Sequence, residues 1–567
     1  MSSDDPNSAL ASFRWLWPYV RPHRFTLLGV GLLAALISAL ATALPYLSKH
    51  IIDDGLIGRR FGLLVALCGV VVVLAAIGFG LGALNRLQYV RMSGRILFAL
   101  REDVYAHLLK LSPEFFRSRP VGDLVTRLDG DVAEVQRFST DTLLAFVNGV
   151  LLLVATGAIM AVMSWKLALV AACALPVHLW LRHRAGPYIA GTTRSVREQS
   201  GRITQFLVET LGSAKAVQGA AAERWESGRL VDLNRSYLSR LVSQQLAGYT
   251  VGGISSLLSH LTTAAVFIVG GYYVMQGSLT VGTLVAFTAY LTRTTGSAVS
   301  LMNLYTAYQR AAVSLQRVRE LLDAPAAQSS HEGERRMTVP ADVAFEGVTY
   351  QPPGAERPVL EGLRLEVAAG AKIVVFGDSG SGKSTLADLL RRFAEPQEGR
   401  VSIGGREVSE YSLELLRRHV TVLETKPAVF RGSLSYNLRY GHFEASEAEV
   451  REAARRAGVD SFVEVLPQGY DTEIGSGGVG LSTGQLQRIA ISRALLGNPV
   501  VLVLDEATSN LDAVATRAMH DLIDRHFAEC TRIVITHAPH AVPRADALYE
   551  LCEGRLMLTE RAGRAHG

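Results

Sequence analysis

The chain has 567 residues, of which 49% are hydrophobic and 19% charged, with a formal net charge of +5. That length is too great for one hydrophobic core and points to two or more domains. The basic balance alone would admit a nucleic-acid partner, but the arginines gather just outside long apolar segments, where membrane topology places them, so no nucleic-acid partner is expected. Cys68, Cys173, Cys530 and Cys552 are widely spaced and match neither a disulfide framework nor a zinc site.

Taken in chain order, residues 1–17 are polar, with Asp4, Asp5 and the single basic residue Arg14, so they indicate neither a signal peptide nor a transit peptide. The N-terminus is expected to stay cytoplasmic, and the stretch is too short for a leader-removing peptidase domain.

Six apolar segments follow, at Phe25–Leu47, Phe61–Leu84, Leu143–Trp165, Leu167–Leu181, Leu246–Gln276 and Leu279–Gln309. A bilayer span needs roughly 20 such residues. The fourth is short and holds Pro176, with Lys166 at one end and Arg182, His183 and Arg184 at the other to snorkel to the interfaces. Connections are short after the first, third and fifth segments, whereas those after the second and fourth are long and arginine-rich, which places them in the cytoplasm.

The long connections carry apolar residues at helical spacing, notably over Arg86–Leu111 and Gly122–Phe138, and read as helices continuing out of the membrane. Ser112–Arg117 and Val208–Lys215 read as turns at their tips. Phe115 and Phe116 are either ordinary core or contact residues for a partner domain. The polar groups within or at the edges of the spans are Asn85, Arg86, Asn148, His260, Arg293 and Asn303. Arg293 either helps line a basic cavity for an anionic cargo or pairs within the bundle.

Residues 323–340, rich in Ala, Ser and charge, form a linker between a membrane domain at 1–322 and a soluble domain at 341–567. In the latter, Gly377, Asp378, Ser379, Gly380, Ser381, Gly382, Lys383 and Ser384 fit the phosphate-loop pattern, between a strand-like run, Lys372–Phe376, and a helical one, Thr385–Phe393. Glycines let backbone N–H groups turn toward phosphates, Lys383 adds a point charge and Ser384 a hydroxyl for Mg²⁺; Thr385 continues the cradle. The apolar run Val500–Leu504 delivers Asp505 to Mg²⁺ and Glu506 to the attacking water. Between these motifs, Leu481-Ser482-Thr483-Gly484-Gln485 opens a helical stretch whose start could bind phosphate.

With these motifs in place, nearly the whole chain resembles the ATP-binding cassette exporters that fuse six spans to one nucleotide-binding domain. The resemblance implies an all-α six-span transmembrane domain of ABC exporter type, followed by an α/β P-loop nucleotide-binding domain and residing in the cytoplasmic membrane. It also implies ATP and Mg²⁺ as ligands and a second half-transporter as partner, because the signature Ser482, Thr483, Gly484 and Gln485 would face nucleotide held by the other subunit. Tyr350 resembles the aromatic that stacks on adenine, Ser509–Asp512 the D-loop, and His537 the switch histidine. Phe115, Phe116 and Glu209 match coupling regions.

Three departures stand out. Thr425 occupies a position usually held by glutamine and is too short to reach Mg²⁺ as that residue does, although Glu424 could substitute. Thr483 replaces a glycine, and a β-branched residue there is expected to crowd a phosphate-facing turn. Ser476 stands for a frequent glutamate. A homodimer with two equivalent sites is preferred over a heterodimer with one weak site. The cargo that the resemblance leads one to expect is a peptide, lipid or amphipathic small molecule. An ATP-gated regulator or importer would keep the same motifs, while the six apolar segments argue against a soluble ATPase.

Overall fold

The structure is a computed structural model and describes residues 15–326, 337 and 339–561. Most of the linker and the first residues therefore lie outside the described residues, as do the side chains of Arg182, His183 and Asn303. The chain divides into two compact units, one of Met1–Leu108 with Gly122–Asp323 and the other of Leu109–Val121 with Ala324–Gly567.

The first unit is built on six long helices: α1 (Arg24–His50), α2 (Phe61–Leu108), α3 (Leu143–Met163), α4 (Trp165–Gly212), α5 (Glu223–Met275) and α6 (Val281–Leu322). Each contains one of the six apolar segments nearly whole, and α2, α4 and α5 run on well past it. Four described helical stretches, containing α1, α2, α3 and α5, are long and apolar enough to cross a membrane. In α4 the apolar part is shorter, Trp165–His178. The span part of α6 is broken by hydroxyls and by Arg293, and of these Arg293 and Thr294 bond to neighbouring helices.

The continuation of α2 is held by a stripe at helical spacing, Met92, Ile96, Leu100, Val104 and Leu108, all buried. It packs on the short helix Val132–Arg137, and Gln136 Nε2 donates to Ser93 Oγ at 2.6 Å. The first tip is a short helix, Pro113–Arg117, started by a proline that needs no helical N–H partner. The second tip lies slightly later than the sequence indicates: α4 ends at Gly212, and a short helix, Ala214–Gly219, turns the chain.

At the other end of the bundle, Asp53 caps α6. Its carboxylate accepts from Thr280 Oγ1 at 2.5 Å and from the Gly282 N–H at 2.8 Å, satisfying donors a helix start leaves free. Further along, Pro45 sits inside α1 and has no N–H to offer the Ala41 carbonyl. The guanidinium of Arg293, from α6, donates to that carbonyl, and Tyr290 Oη donates to the next one, Thr42, at 2.6 Å. Of the two readings of Arg293, the structure gives the pairing within the bundle.

In the second unit a four-stranded antiparallel sheet has the order β2-β1-β4-β5, formed by β1 (Val343–Tyr350), β2 (Leu360–Val367), β4 (Glu398–Ile403) and β5 (Arg406–Glu407). The main sheet comprises β3 (Lys372–Phe376), β6 (Val420–Glu424), β9 (Val501–Asp505), β10 (Thr531–Ile535), β11 (Ala547–Cys552) and β12 (Arg555–Arg561), in the order β12-β11-β3-β10-β9-β6. A small pair, β7 (Gly432–Ser433) and β8 (Glu473–Ile474), completes the strands. Along β9, Val501 and Val503 enter one hydrophobic cluster while Leu502 and Leu504 enter another. Burial on both faces is why that strand reads as an unbroken apolar run.

Candidate functional site

The register of the main sheet aligns Val375 with Ile535, Ile535 with Asp505 and Asp505 with Glu424. The segments leaving β3, β10, β9 and β6 therefore start from one level at the carboxyl edge. They carry the phosphate loop, His537, Glu506 and Thr425 respectively.

The phosphate loop runs from β3 into a helix, Lys383–Leu390, anchored by buried Leu386, Leu389 and Leu390. Gly382 is its N-cap at φ +100°, and a side chain there would fall 2.6 Å from Val359 Cγ1, so both conformation and space require glycine. Lys383 is 5% exposed and folds across the loop, donating from Nζ to the carbonyls of Gly377 at 2.9 Å and Asp378 at 2.6 Å. Burial lowers the affinity of its ammonium for its proton, against the opposing pull of Glu506, Asp505 and Asp378. Ser379, Gly380 and Ser384 are exposed, whereas Ser381 Oγ is buried without a partner.

Asp505 ends β9. Burial raises its carboxyl above the usual range, opposed by the Ser384 hydroxyl and reinforced by Glu506, Asp388 and Glu424. Its Oδ1 is buried with no hydrogen-bond partner. A carboxylate with one orphaned oxygen, beside a serine hydroxyl, is a hard-oxygen donor set, and it fits Mg²⁺. No group of three or more His, Cys, Asp or Glu side chains able to hold a metal occurs among the described residues, so nucleotide oxygens would have to complete the site.

Glu506 has φ +51°, a left-handed conformation that turns the chain abruptly out of the strand. Its N–H donates to the Ile535 carbonyl at 3.0 Å, and its carbonyl accepts from Ser509 Oγ at 2.9 Å. The carboxylate so aimed meets His537 Nε2 at 2.6 Å. Asp512, three residues after Ser509, caps the helix Ala513–His526 by accepting from the Ala515 N–H at 2.7 Å.

Thr425 turns its hydroxyl to the Asp505 carbonyl at 3.3 Å, while Glu424 pairs with Arg391 at 3.5 Å. The residue that holds this segment is one sequence reasoning missed. Buried Gln487 donates from Nε2 to the carbonyls of Glu424 at 2.8 Å and Thr425 at 3.2 Å, tying the signature helix to the end of β6.

That helix, Thr483–Gly497, is capped reciprocally: Ser482 Oγ accepts from the Gln485 N–H and Gln485 Oε1 accepts from the Ser482 N–H. Thr483 is its first residue and has no positive φ. The backbone therefore does not demand glycine there, and a Cβ placed at Gly484 would meet only Leu511, at 3.8 Å. The side-chain hydrogen bonds of Ser482 and Gln485 thus join the two residues of the motif to each other.

The adenine-stacking expectation for Tyr350 is corrected. The residue ends β1 with 7% of its surface exposed, packed in the cluster that contains Leu360, Leu386 and Ala387. Burial raises its phenol, as do Glu114 and Asp388, against Arg117. A ring enclosed in this way offers no face to a base, and Tyr350 is core.

Residues Leu109–Val121 belong to this unit. Half-buried Phe115 and Phe116 stack edge to face with centroids 5.7 Å apart, and Arg117 pairs with Asp388 of the phosphate-loop helix at 3.0 Å. Neither Asp388 nor Arg117 was legible as a pair, because only the fold brings them together.

Comparison with known proteins places residues 27–298 in the family described as ABC transporter transmembrane region and residues 360–509 in the family described as ABC transporter. A multidrug efflux ATP-binding/permease protein of Mycobacterium bovis is 34% identical over 95% of this chain, which spans only 45% of that relative's length. An ABC multidrug transporter of Aspergillus fumigatus is 30% identical over 97% of this chain and 71% of its own. An ATP-dependent lipid A-core flippase of Chromobacterium violaceum is 28% identical over 98% of this chain and 94% of its own. Among solved structures, a bacterial Atm1-family ABC exporter with ATP bound superposes with a TM-score of 0.80 at 28% identity, covering 94% of each chain.

Proposed function

The chain belongs to the ABC transporter family, with the membrane region and the cassette fused in one polypeptide, and on that premise we propose that it is an exporter-type half-transporter. It sits in the cytoplasmic membrane as a multi-pass protein. In this reading residues 1–322 supply six spans and 341–567 the ATP-hydrolysing domain, and two such chains form the working unit.

The observation that carries the reading is the convergence of Lys383, Asp505, Glu506 and His537 at the carboxyl edge of one sheet, with Glu506 and His537 2.6 Å apart. Backbone N–H groups of Gly377–Ser384 and the Lys383 ammonium hold the phosphates of ATP. Ser384 and Asp505 would hold Mg²⁺, which supplies charge neutralisation at the phosphates. Glu506 accepts the proton of the attacking water, and His537 fixes the carboxylate's direction. The short helix Pro113–Arg117, paired to the phosphate-loop helix, passes changes there to the spans.

A homodimer is favoured because Thr483 starts a helix with ordinary backbone geometry and handicaps neither site. The test is Mg²⁺-dependent ATP turnover by the chain alone in lipid nanodiscs, with mass recorded in parallel. Turnover by a dimer, lost in Glu506→Gln, supports the reading. A monomer, or a dimer inactive from the start, refers the second site to an unlike subunit.

A further inference from the structure

Within the membrane unit, α3, α4, α5 and α6 enclose a cavity of about 400 Å³ whose walls are partly polar. A larger cavity of about 710 Å³ between α1, α3 and α6 is mostly apolar, with hydroxyls from Ser38, Thr42, Tyr46 and Tyr290 in its walls. The smaller one is the more polar of the two.

Six hydroxyl side chains line it, from Ser259, Thr262 and Thr263 on α5 and Thr292, Thr294 and Thr295 on α6. Five of them donate to a backbone carbonyl one turn back in their own helix, at 2.8–3.1 Å, and Thr294 has its one proton committed between the Tyr290 carbonyl at 2.9 Å and Thr156 Oγ1 at 2.8 Å. A hydroxyl has one proton and two lone pairs, so once the proton is committed the oxygen can only accept. Two imidazoles, His178 and His260, complete the polar lining, and each neutral ring offers one donor and one acceptor nitrogen. Among the described residues the lining holds no carboxylate, lysine or arginine.

The cavity is thus rich in acceptors, poor in donors and without charge, set among the small side chains of Gly157, Ala168, Ala171 and Ala172. A ligand bringing only acceptors would leave these oxygens unmatched away from water, and a fully charged head would lie there without a counter-ion. We infer that the cavity binds an uncharged, largely apolar molecule carrying several O–H or N–H donors. That this molecule is the cargo rests on the transport reading above; the ligand chemistry does not.

The test uses a pair of neutral fluorescent probes: an N-methylated dansyl sulfonamide ending in an alkyl diol, and its dimethyl ether, nearly equal in size and differing only in donors. Each is titrated against the full chain in nanodiscs, with partition into empty nanodiscs subtracted. At about 1 kcal/mol for each of its two hydrogen bonds, the diol should bind roughly thirtyfold tighter. The double variant Thr263→Val with Thr295→Val keeps side-chain shape while removing two of the six acceptor hydroxyls, and should narrow the difference between the two affinities. Thr250→Val, elsewhere on α5, should leave the preference intact.

Equal affinities in the unaltered chain, or a diol preference undiminished in the double variant, overturn the assignment. ATP turnover measured in the same nanodiscs separates the two readings. Turnover without diol preference removes the cavity assignment alone, while preference without turnover counts against the self-sufficient homodimer and keeps the ligand chemistry.

Discussion

The Glu506 carboxylate and the His537 imidazole meet at 2.6 Å across the ends of two adjacent parallel strands. Glu506 is aimed by its left-handed backbone and His537 by the end of β10, so neither direction depends on the other side chain alone. Glu506→Gln keeps shape and removes the base, and ATP turnover should fall by about 10²–10⁴-fold with nucleotide affinity retained. His537→Ala should lower kcat without raising KM to the same degree, since His537 acts on the carboxylate's position. Turnover and nucleotide binding measured on the same preparations check both. An Ala variant weakened only in binding would move His537 out of this role.

The pairing of Arg117 with Asp388 joins the short helix Pro113–Arg117 to the phosphate-loop helix. Arg117 is 70% exposed, so the ion pair contributes at most about 1 kcal/mol and its interest lies in direction rather than strength. Asp388→Arg should lower turnover several-fold by repelling Arg117. Adding Arg117→Asp should restore most of the loss. If the double variant is no better than the single, the two residues are not coupled.

The chemistry-bearing motifs were legible because each is contiguous and its residues must keep fixed spacing: Gly377–Ser384 around phosphates, and Val501–Glu506 as a strand ending in acids. The six long helices were legible from apolar length, but the boundary between span and continuation was not, because α4 stays helical through Pro176 and Pro187. Pairs made by the fold left no local trace. Gln487 reaches the Glu424 and Thr425 carbonyls from a different element, and Tyr350 has the same sequence appearance whether its ring is core or surface. Pro45 and Arg293 could have been matched in principle, since an intrahelical proline frees a carbonyl one turn back and an intramembrane arginine needs an acceptor.

That last pair gives a sharp test. Arg293→Met should leave the Ala41 carbonyl without its donor and lower stability by about 1–3 kcal/mol. Pro45→Ala supplies an N–H to the same carbonyl, so the double variant should recover much of the loss. Thermal unfolding of the four proteins in nanodiscs reads both. If Arg293 instead served an anionic cargo, Pro45→Ala would not compensate.

Thr483→Gly should change turnover by less than about twofold, because helix starts tolerate either residue and the loss of a side chain costs under about 1 kcal/mol. A large gain in turnover would mean that the methyl group does crowd the partner's nucleotide, and would favour a heterodimer with a complementary signature.

Buried His520 carries the pH prediction. It is 1% exposed, with neither ring nitrogen hydrogen-bonded. Burial pushes its imidazole down to about 4, aided by Lys372 and opposed by Asp524 and Asp521. An unfolded histidine titrates near 6.5, so between about pH 6.5 and 4 the unfolded chain binds the extra proton and stability falls as the solution is acidified. The full difference, about 3 kcal/mol, would be lost by pH 4. His520→Leu removes both the titration and the unmatched nitrogens. It should be more stable than the unaltered chain at pH 7, and the gap should widen toward pH 5 in thermal unfolding of the two proteins. A gap that stays constant with pH would mean that the ring finds a proton partner in the folded state.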